Sequence, residues 1–306
     1  MAFAKHETFY IREGWLYKGM AAIKREEKEG HPPTIFLDDD APERLGIGQN
    51  MVRALRFWMQ ATGLTEEKLE RQRVQRLTPF GEQVWTHDRY LENDATPWLL
   101  HYHLASSEVH ATTWYWFFNH YTPSTFDERD CLESLHNWVI STYPDQEVAI
   151  GSLKRDVDCL LQTYLASKTS RTPEELTEAP FSRLRILIRA EDNHQKRYRL
   201  ERLDPSRLHP LVLLYVLLDR QSNIRKGTSQ VGLSDVLREP MNAGRIFSLT
   251  TAALSDLLAE LNKDYPELRV RFVRTAGLDQ LTLPSCEAID ILTRYYSKRV
   301  SNYREM

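Results

Sequence analysis

The chain has 306 residues, 42% of them hydrophobic and 27% charged, which excludes a disordered, collagen-like or disulfide-scaffold protein and suits two or three domains. Forty basic against forty-three acidic side chains leave a formal charge of −3, a total that neither requires nor excludes a polyanionic partner, because an average hides separated charge. Three widely spaced cysteines, Cys131, Cys159 and Cys286, argue against a zinc ribbon; with no signal-like h-region and no apolar stretch long enough for a bilayer, a cytoplasmic protein away from membranes is expected.

The first strong periodicity follows Gly48, where Met51, Leu55, Trp58 and Met59 recur at three- and four-residue steps. That spacing predicts a helix with Arg53 and Arg56 turned away from the core. Gly63 ends it as a C-terminal glycine at positive φ would. A charged stretch at 65–71, a returning Val74-Gln75-Arg76-Leu77 and then Thr78-Pro79-Phe80-Gly81 follow. Helix, glycine, charged hairpin and returning strand is the order of a winged helix-turn-helix. Thr78 is placed to cap the next helix, which carries Val84 and Trp85.

The middle of the chain is aromatic. Segments 97–104 and 112–118 carry Trp98, Trp114, Trp116, Phe117 and Phe118, and rings at helical spacing are core far more often than platforms for bases. Helical patterns run over 126–143 and 152–164, parted by a Thr142-Tyr143-Pro144-Asp145 loop. Residues 167–180 turn polar and read as a linker. A hairpin follows, with Leu184, Ile186 and Ile188 going out, a polar turn at 191–195, and Tyr198, Leu200 and Leu203 returning. Beyond it come a buried helix at 211–218 and an amphipathic helix at 249–261 with Leu254, Leu257, Leu258 and Leu261 on one face. Strands at 268–272 and 281–283 flank a Thr275-Ala276-Gly277 turn, and a last helix runs through Ile289, Leu292 and Tyr296. The expected fold is mainly α with short β-hairpin wings, winged-helix-like at both ends of a helical middle. Its expected domains are 1–125, a helical connecting region at 126–170, and an α+β domain at 171–306.

Charge is separated along this frame. Residues 53–76 hold six basic side chains (Arg53, Arg56, Lys68, Arg71, Arg73 and Arg76) against three acidic ones. Residues 183–207 hold eight against four, with Arg183, Arg185, Lys196 and Arg197 among them. Arginine forks match phosphate oxygens, so both segments are candidate DNA contacts; an ordinary solvated face is the plain alternative. Phosphate-loop, dinucleotide, His-Glu-x-x-His and nucleophile-elbow motifs do not occur. His101 and His103 lie two apart on a helix, about 200° around its axis, and cannot grip one metal. His87, Asp88, Glu92 and Asp94 gather carboxylates beside a histidine, oxygen ligands of the kind Mg2+ or Mn2+ takes in phosphodiester cleavage. Helix capping by Asp94 is the simpler reading of that loop. His6-Glu7, ahead of Arg12, Trp15 and Lys18, mixes an acid–base pair with cations.

The strings KHETFYIREGWLYKG, LGIGQNMVRALRFW, LTPFG and DRYLENDATPWLLHYHLA resemble a bacterial domain of unknown function that accompanies PAPS-reductase-like sulfur-transfer proteins. This is the SspB-like family of Ssp single-stranded DNA phosphorothioation defence systems. The resemblance is specific over the N-terminal domain and looser beyond it. It implies a DNA-binding protein credited with nicking DNA. Such a protein would work beside a cysteine desulfurase, an ATPase and an ATP-pyrophosphatase-like enzyme that replace a phosphate oxygen by sulfur. Lys5, His6, Glu7, Arg12 and Lys18 match the family's opening motif. Asp88, Tyr90 and Glu92 match its Asp-Pro-Tyr-Leu-Glu-Asp string, where this chain has Arg89 and Asn93 instead. The catalytic candidates are then His6, Glu7, Asp88 and Glu92, and Lys5, Arg12 and Lys18 join the DNA-binding set. A non-catalytic winged-helix DNA-binding adaptor or regulator that recruits the sulfur enzymes and a scaffold that binds only protein are the alternatives. A homodimer would serve each of them, since two-fold symmetry matches paired DNA contacts; no sequence feature fixes it.

Overall fold

The computed structural model describes residues 1–166, 179–192, 195–224, 230–275 and 278–304. The chain forms two compact units, Met1–Glu201 and Arg202–Met306. The first runs α1 (Trp15–Lys28), α2 (Ala41–Leu45), α3 (Gln49–Ala61), β1 (Thr65–Leu69), β2 (Arg73–Leu77), α4 (Pro79–His87), α5 (Ala95–Ser106), α6 (Thr112–Asn119), β3 (Thr125–Phe126), α7 (Glu128–Thr142), α8 (Ile150–Tyr164), β4 (Leu187–Asp192) and β5 (Gln195–Leu200). The second runs α9 (Pro210–Ile224), β6 (Gln230–Gly232), α10 (Leu233–Arg238), α11 (Ala243–Ile246), α12 (Thr251–Asp264), β7 (Arg271–Thr275), β8 (Leu278–Thr282) and α13 (Ala288–Arg304). The sheets are small and antiparallel, in the orders β1-β2, β3-β5-β4 and β6-β8-β7. Helices with β-hairpins are thus the architecture, as expected.

The segment from α3 to α4 follows its sequence closely. Leu55, Trp58 and Met59 of the expected stripe are buried on α3 together with Val52, while Met51 is half-buried, and Trp58 Nε1 donates to the Phe9 carbonyl at 3.0 Å. Gly63 stands at φ 72°, the left-handed region a side chain disfavours. Thr78 Oγ1 accepts from Gly81 N at 3.0 Å and donates to the Gly63 carbonyl at 2.6 Å, closing the turn at both ends. Gly81 has no alternative, since a Cβ there would lie 2.1 Å from the Leu64 carbonyl oxygen.

The aromatic middle is core. Trp98, Trp114, Trp116, Phe117 and Phe118 are each at most 3% exposed, and Trp114 meets Trp58 edge-on at 5.4 Å. Rings of this size bury the most apolar area per residue, so α5 and α6 form the interior on which the outer elements pack.

Three features differ from the sequence reading. The described part of the expected 126–170 connection does not stand apart, because α7 and α8 lie within the first unit and the 187–200 hairpin joins them there. Phe126 pairs with Tyr198 across β3 and β5, their rings 5.7 Å apart, which draws the hairpin away from the 171–306 domain expected for it. The β4–β5 and β7–β8 hairpins also begin later than expected. Arg185 at φ 47° and Arg269 at φ 52° each follow a short 3-10 turn and break the extended run. Third, α1, β3 and β6 were not apparent in the hydropathy pattern. Residues 167–178 of the expected linker and the 276–277 turn lie outside the described residues.

Candidate nucleic-acid interface

The opening motif is an internal clamp. His6 is fully buried, and its Nδ1 accepts the Thr8 N–H at 3.1 Å. The ring proton therefore sits on Nε2, which donates to Asp156 Oδ1 at 2.8 Å. Asp156 also accepts from Ala4 N at 2.7 Å and from Thr113 Oγ1 at 2.7 Å. A buried carboxylate with three donors is well satisfied, and it ties the N-terminal segment to α6 and α8. Ala4, Glu7 and Thr8 all stand at positive φ, a conformation that persists where surrounding contacts over-determine it. A side chain with no exposed surface cannot touch a phosphodiester, so His6 acts here as a strut. Glu7 is half-buried and Lys5 exposed. The Arg12 guanidinium lies 5.8, 5.8 and 5.6 Å from the rings of Phe9, Tyr10 and Trp15. Lys18 Nζ donates to the Leu45 carbonyl at the end of α2, at 2.7 Å.

The carboxylate loop after α4 is built around Asp88, which is 8% exposed. Its side chain accepts from Glu92 N at 2.9 Å, from Asn93 N at 3.1 Å and from Thr96 Oγ1 at 2.5 Å. Burial pushes its pKa up, and those hydrogen bonds oppose the rise. Asp94, expected as the cap, makes no side-chain bond at the start of α5. Asp88 ties down the loop before that helix, and Asn93 Oδ1 accepts from Ala95 N at 3.0 Å. Glu92 and Asp94 are exposed. Among the described residues no three His, Cys, Asp or Glu side chains come together to hold a metal ion. His101 and His103 part as expected: His101 Nδ1 meets Tyr164 Oη at 2.7 Å, and His103 stacks on Phe80.

The basic segments divide into bonded and displayed cations. Arg56 pairs with Glu67 through Nε at 2.7 Å. Arg76 forks onto Glu70 at 2.6 and 3.1 Å and reaches Glu27 at 3.1 Å; the Arg76 pairing lowers the Glu70 pKa. Arg53, Arg71 and Arg73 are exposed, Arg53 with Asn50 Oδ1 at 3.4 Å and Arg73 at 3.9 Å from Glu67. Surface pairs of this kind hold weakly and can exchange for phosphate. In the second basic segment Arg183 donates to the carbonyls of Leu91 at 2.6 Å and Pro180 at 3.2 Å. Arg185 and Lys196 are exposed and Arg197 half-buried.

The family model described as "Protein of unknown function (DUF4007)" matches residues 3–296. The chain belongs to that family. Among solved structures it is similar to two of SspB. The magnesium ion-bound SspB crystal structure is 27% identical with a TM-score of 0.84, and a second SspB crystal structure is 27% identical with a TM-score of 0.83. Each likeness covers 100% of this chain and 89% of the other, so the family resembled in the sequence is the one the fold returns. No curated protein matches the chain by sequence. Among the described residues no helix is long and apolar enough to cross a membrane.

Asp156, Thr113 and Thr96, the partners that fix the two motif segments, carry no sequence signal. Asp156 lies 150 positions from His6, and nothing around it marks a motif.

Proposed function

We propose that this protein is a DNA-binding component of an Ssp-type DNA phosphorothioation system in antiviral defence. It would act beside a cysteine desulfurase, an ATPase and an ATP-pyrophosphatase-like enzyme. The observation that carries the reading is the likeness to SspB over the full chain. The displayed cations Arg53 on α3 and Arg71 and Arg73 on the β1–β2 hairpin support it. In a winged-helix docking such a helix lies against the groove while the hairpin follows the phosphate backbone. The purified chain is then expected to bind duplex DNA with an affinity that falls linearly, on logarithmic axes, as salt rises. Absence of DNA binding at low salt would leave the protein-only scaffold.

Nicking is the second reading, favoured by one observation: one of the similar SspB structures holds magnesium. A divalent cation would supply charge stabilisation and an activated water for phosphodiester cleavage. His87, Asp88, Glu92 and Asp94 do not fit as its ligands, because the Asp88 carboxylate is already engaged by three donors and no metal-holding group forms among the described residues. Nicking therefore has no assigned metal ligands in this chain. A supercoiled-plasmid assay with Mg2+ or Mn2+, run on wild type and on alanine variants of His6, Glu7, Asp88 and Glu92, separates the readings. Intact plasmid in every lane with DNA binding retained supports the adaptor role. Open circles from wild type, lost in Glu7→Ala or Glu92→Ala without unfolding, would establish the nickase.

A further inference from the structure

A cluster outside the expected site residues presents stacking surface to solvent. Tyr90 is 59% exposed, at the tip of the turn that Asp88 holds. Its ring lies 4.7 Å from that of Tyr17 on α1. Tyr17 lies nearly parallel to Trp85 of α4, 14° between planes at 6.2 Å. The Arg89 guanidinium covers Trp85 at 4.7 Å. Arg89, Trp85, Tyr17 and Tyr90 thus form one connected run of planar groups, open at the tyrosine end.

The turn is held rigid. Leu91 is buried at φ 59°, Asp88 accepts from the backbone N–H groups of Glu92 and Asn93, and Arg183 donates to the Leu91 carbonyl at 2.6 Å. An exposed tyrosine on so constrained a turn loses little freedom when a ring settles on it, which is the condition for useful stacking. A cation closes one end of the run, where the Arg89 guanidinium covers Trp85; exposed Glu92 stands two residues beyond Tyr90, and Asp88 is occupied by its donors. A proline-rich peptide also seeks tyrosine and tryptophan rings, but a cationic guanidinium at the edge suits a phosphate strand better.

We propose that Tyr90, with Tyr17, Trp85 and Arg89 behind it, is a stacking platform for an unpaired nucleobase of a bound DNA strand. This rests on the DNA-binding reading and adds to it the place where a base out of the helix is held. A base at such a platform stacks whatever its sequence, since every base has a π-face.

The test compares a thymidine oligonucleotide with an abasic strand of equal length and charge, using fluorescence anisotropy on the full chain, with a duplex as control. Wild type is expected to prefer the base-bearing strand on the order of tenfold. Tyr90→Ala should abolish the preference while leaving duplex affinity and the melting temperature unchanged, because Tyr90 is exposed. Tyr90→Phe keeps the ring and should keep most of the preference. A strand carrying 5-iododeoxyuridine should photocrosslink to Tyr90 or Tyr17. Duplex binding without any preference for bases, or a preference that survives Tyr90→Ala, would overturn the platform. So would capture of a proline-rich peptide at this surface in place of the strand. Failure to bind duplex as well would instead overturn the DNA-binding reading itself.

Discussion

Two buried aspartates do the same work to opposite ends. Asp156 gathers His6 Nε2, Ala4 N and Thr113 Oγ1 and draws the opening motif inward, so that its histidine has no exposed surface. Asp88 gathers Glu92 N, Asn93 N and Thr96 Oγ1 and holds a turn on which Tyr90 is exposed. The contrast teaches that a carboxylate beside a histidine in a family motif need not be an acid–base pair. Burial and the number of donors decide whether the group is free to act.

The largest effect that tests this contrast is at Asp156. Asp156→Ala leaves a ring N–H, a backbone N–H and a hydroxyl buried without their acceptor, at about 1–3 kcal/mol for each group. Urea unfolding should show a loss of about 3 kcal/mol or more, and a loss below about 1 kcal/mol would mean that the clamp is unimportant. Asp88→Ala should cost less, about 1–3 kcal/mol, because Glu92 and Asn93 lie near solvent. It should also weaken the preference for base-bearing strands that Tyr90 is expected to confer, whereas Asp156→Ala, once corrected for unfolding, should leave that preference intact.

Acidity distinguishes Asp88 further. Burial raises its carboxyl pKa above the ordinary aspartate value, so the folded chain holds the proton more tightly than the unfolded one. Its contribution to stability is complete below the unfolded pKa and is lost as pH rises through the folded pKa. Unfolding free energies measured across that acidic window should fall with rising pH more steeply in wild type than in Asp88→Asn; equal slopes would refute the assignment. The smallest effects are on α3 and the hairpin it faces. Arg56→Ala should change stability by no more than about 0.5–1 kcal/mol, since its partner Glu67 is a surface group. Arg71→Ala, at an exposed cation, should reduce the salt slope of DNA binding by about one.

How much of this is legible in the sequence depends on range. The α3–hairpin–α4 segment can be read because its signals are local: a 3.6-residue stripe, Gly63 at positive φ and Thr78 capping α4. The aromatic core is legible for the same reason. Strands β3 and β6, two and three residues long, are too short to alternate, and their partners lie far along the chain. Charge counting locates the basic segments but cannot tell Arg76, forked onto Glu70, from Arg71, which is displayed; that depends on cross-strand geometry. The site residues fare likewise. His6 and Asp88 stand out in the family strings, while Asp156, which fixes His6 in place, becomes visible only once distant helices are packed.

The most direct test of the central claim is the salt dependence of duplex binding by the purified full-length chain, followed by anisotropy from low to physiological ionic strength. A linear fall of log affinity with log salt, shallower in a combined Arg53→Ala, Arg71→Ala and Arg73→Ala variant, is the result expected of a protein that meets DNA through α3 and its hairpin. No binding at low salt, or binding that the triple variant leaves unaltered, would contradict it.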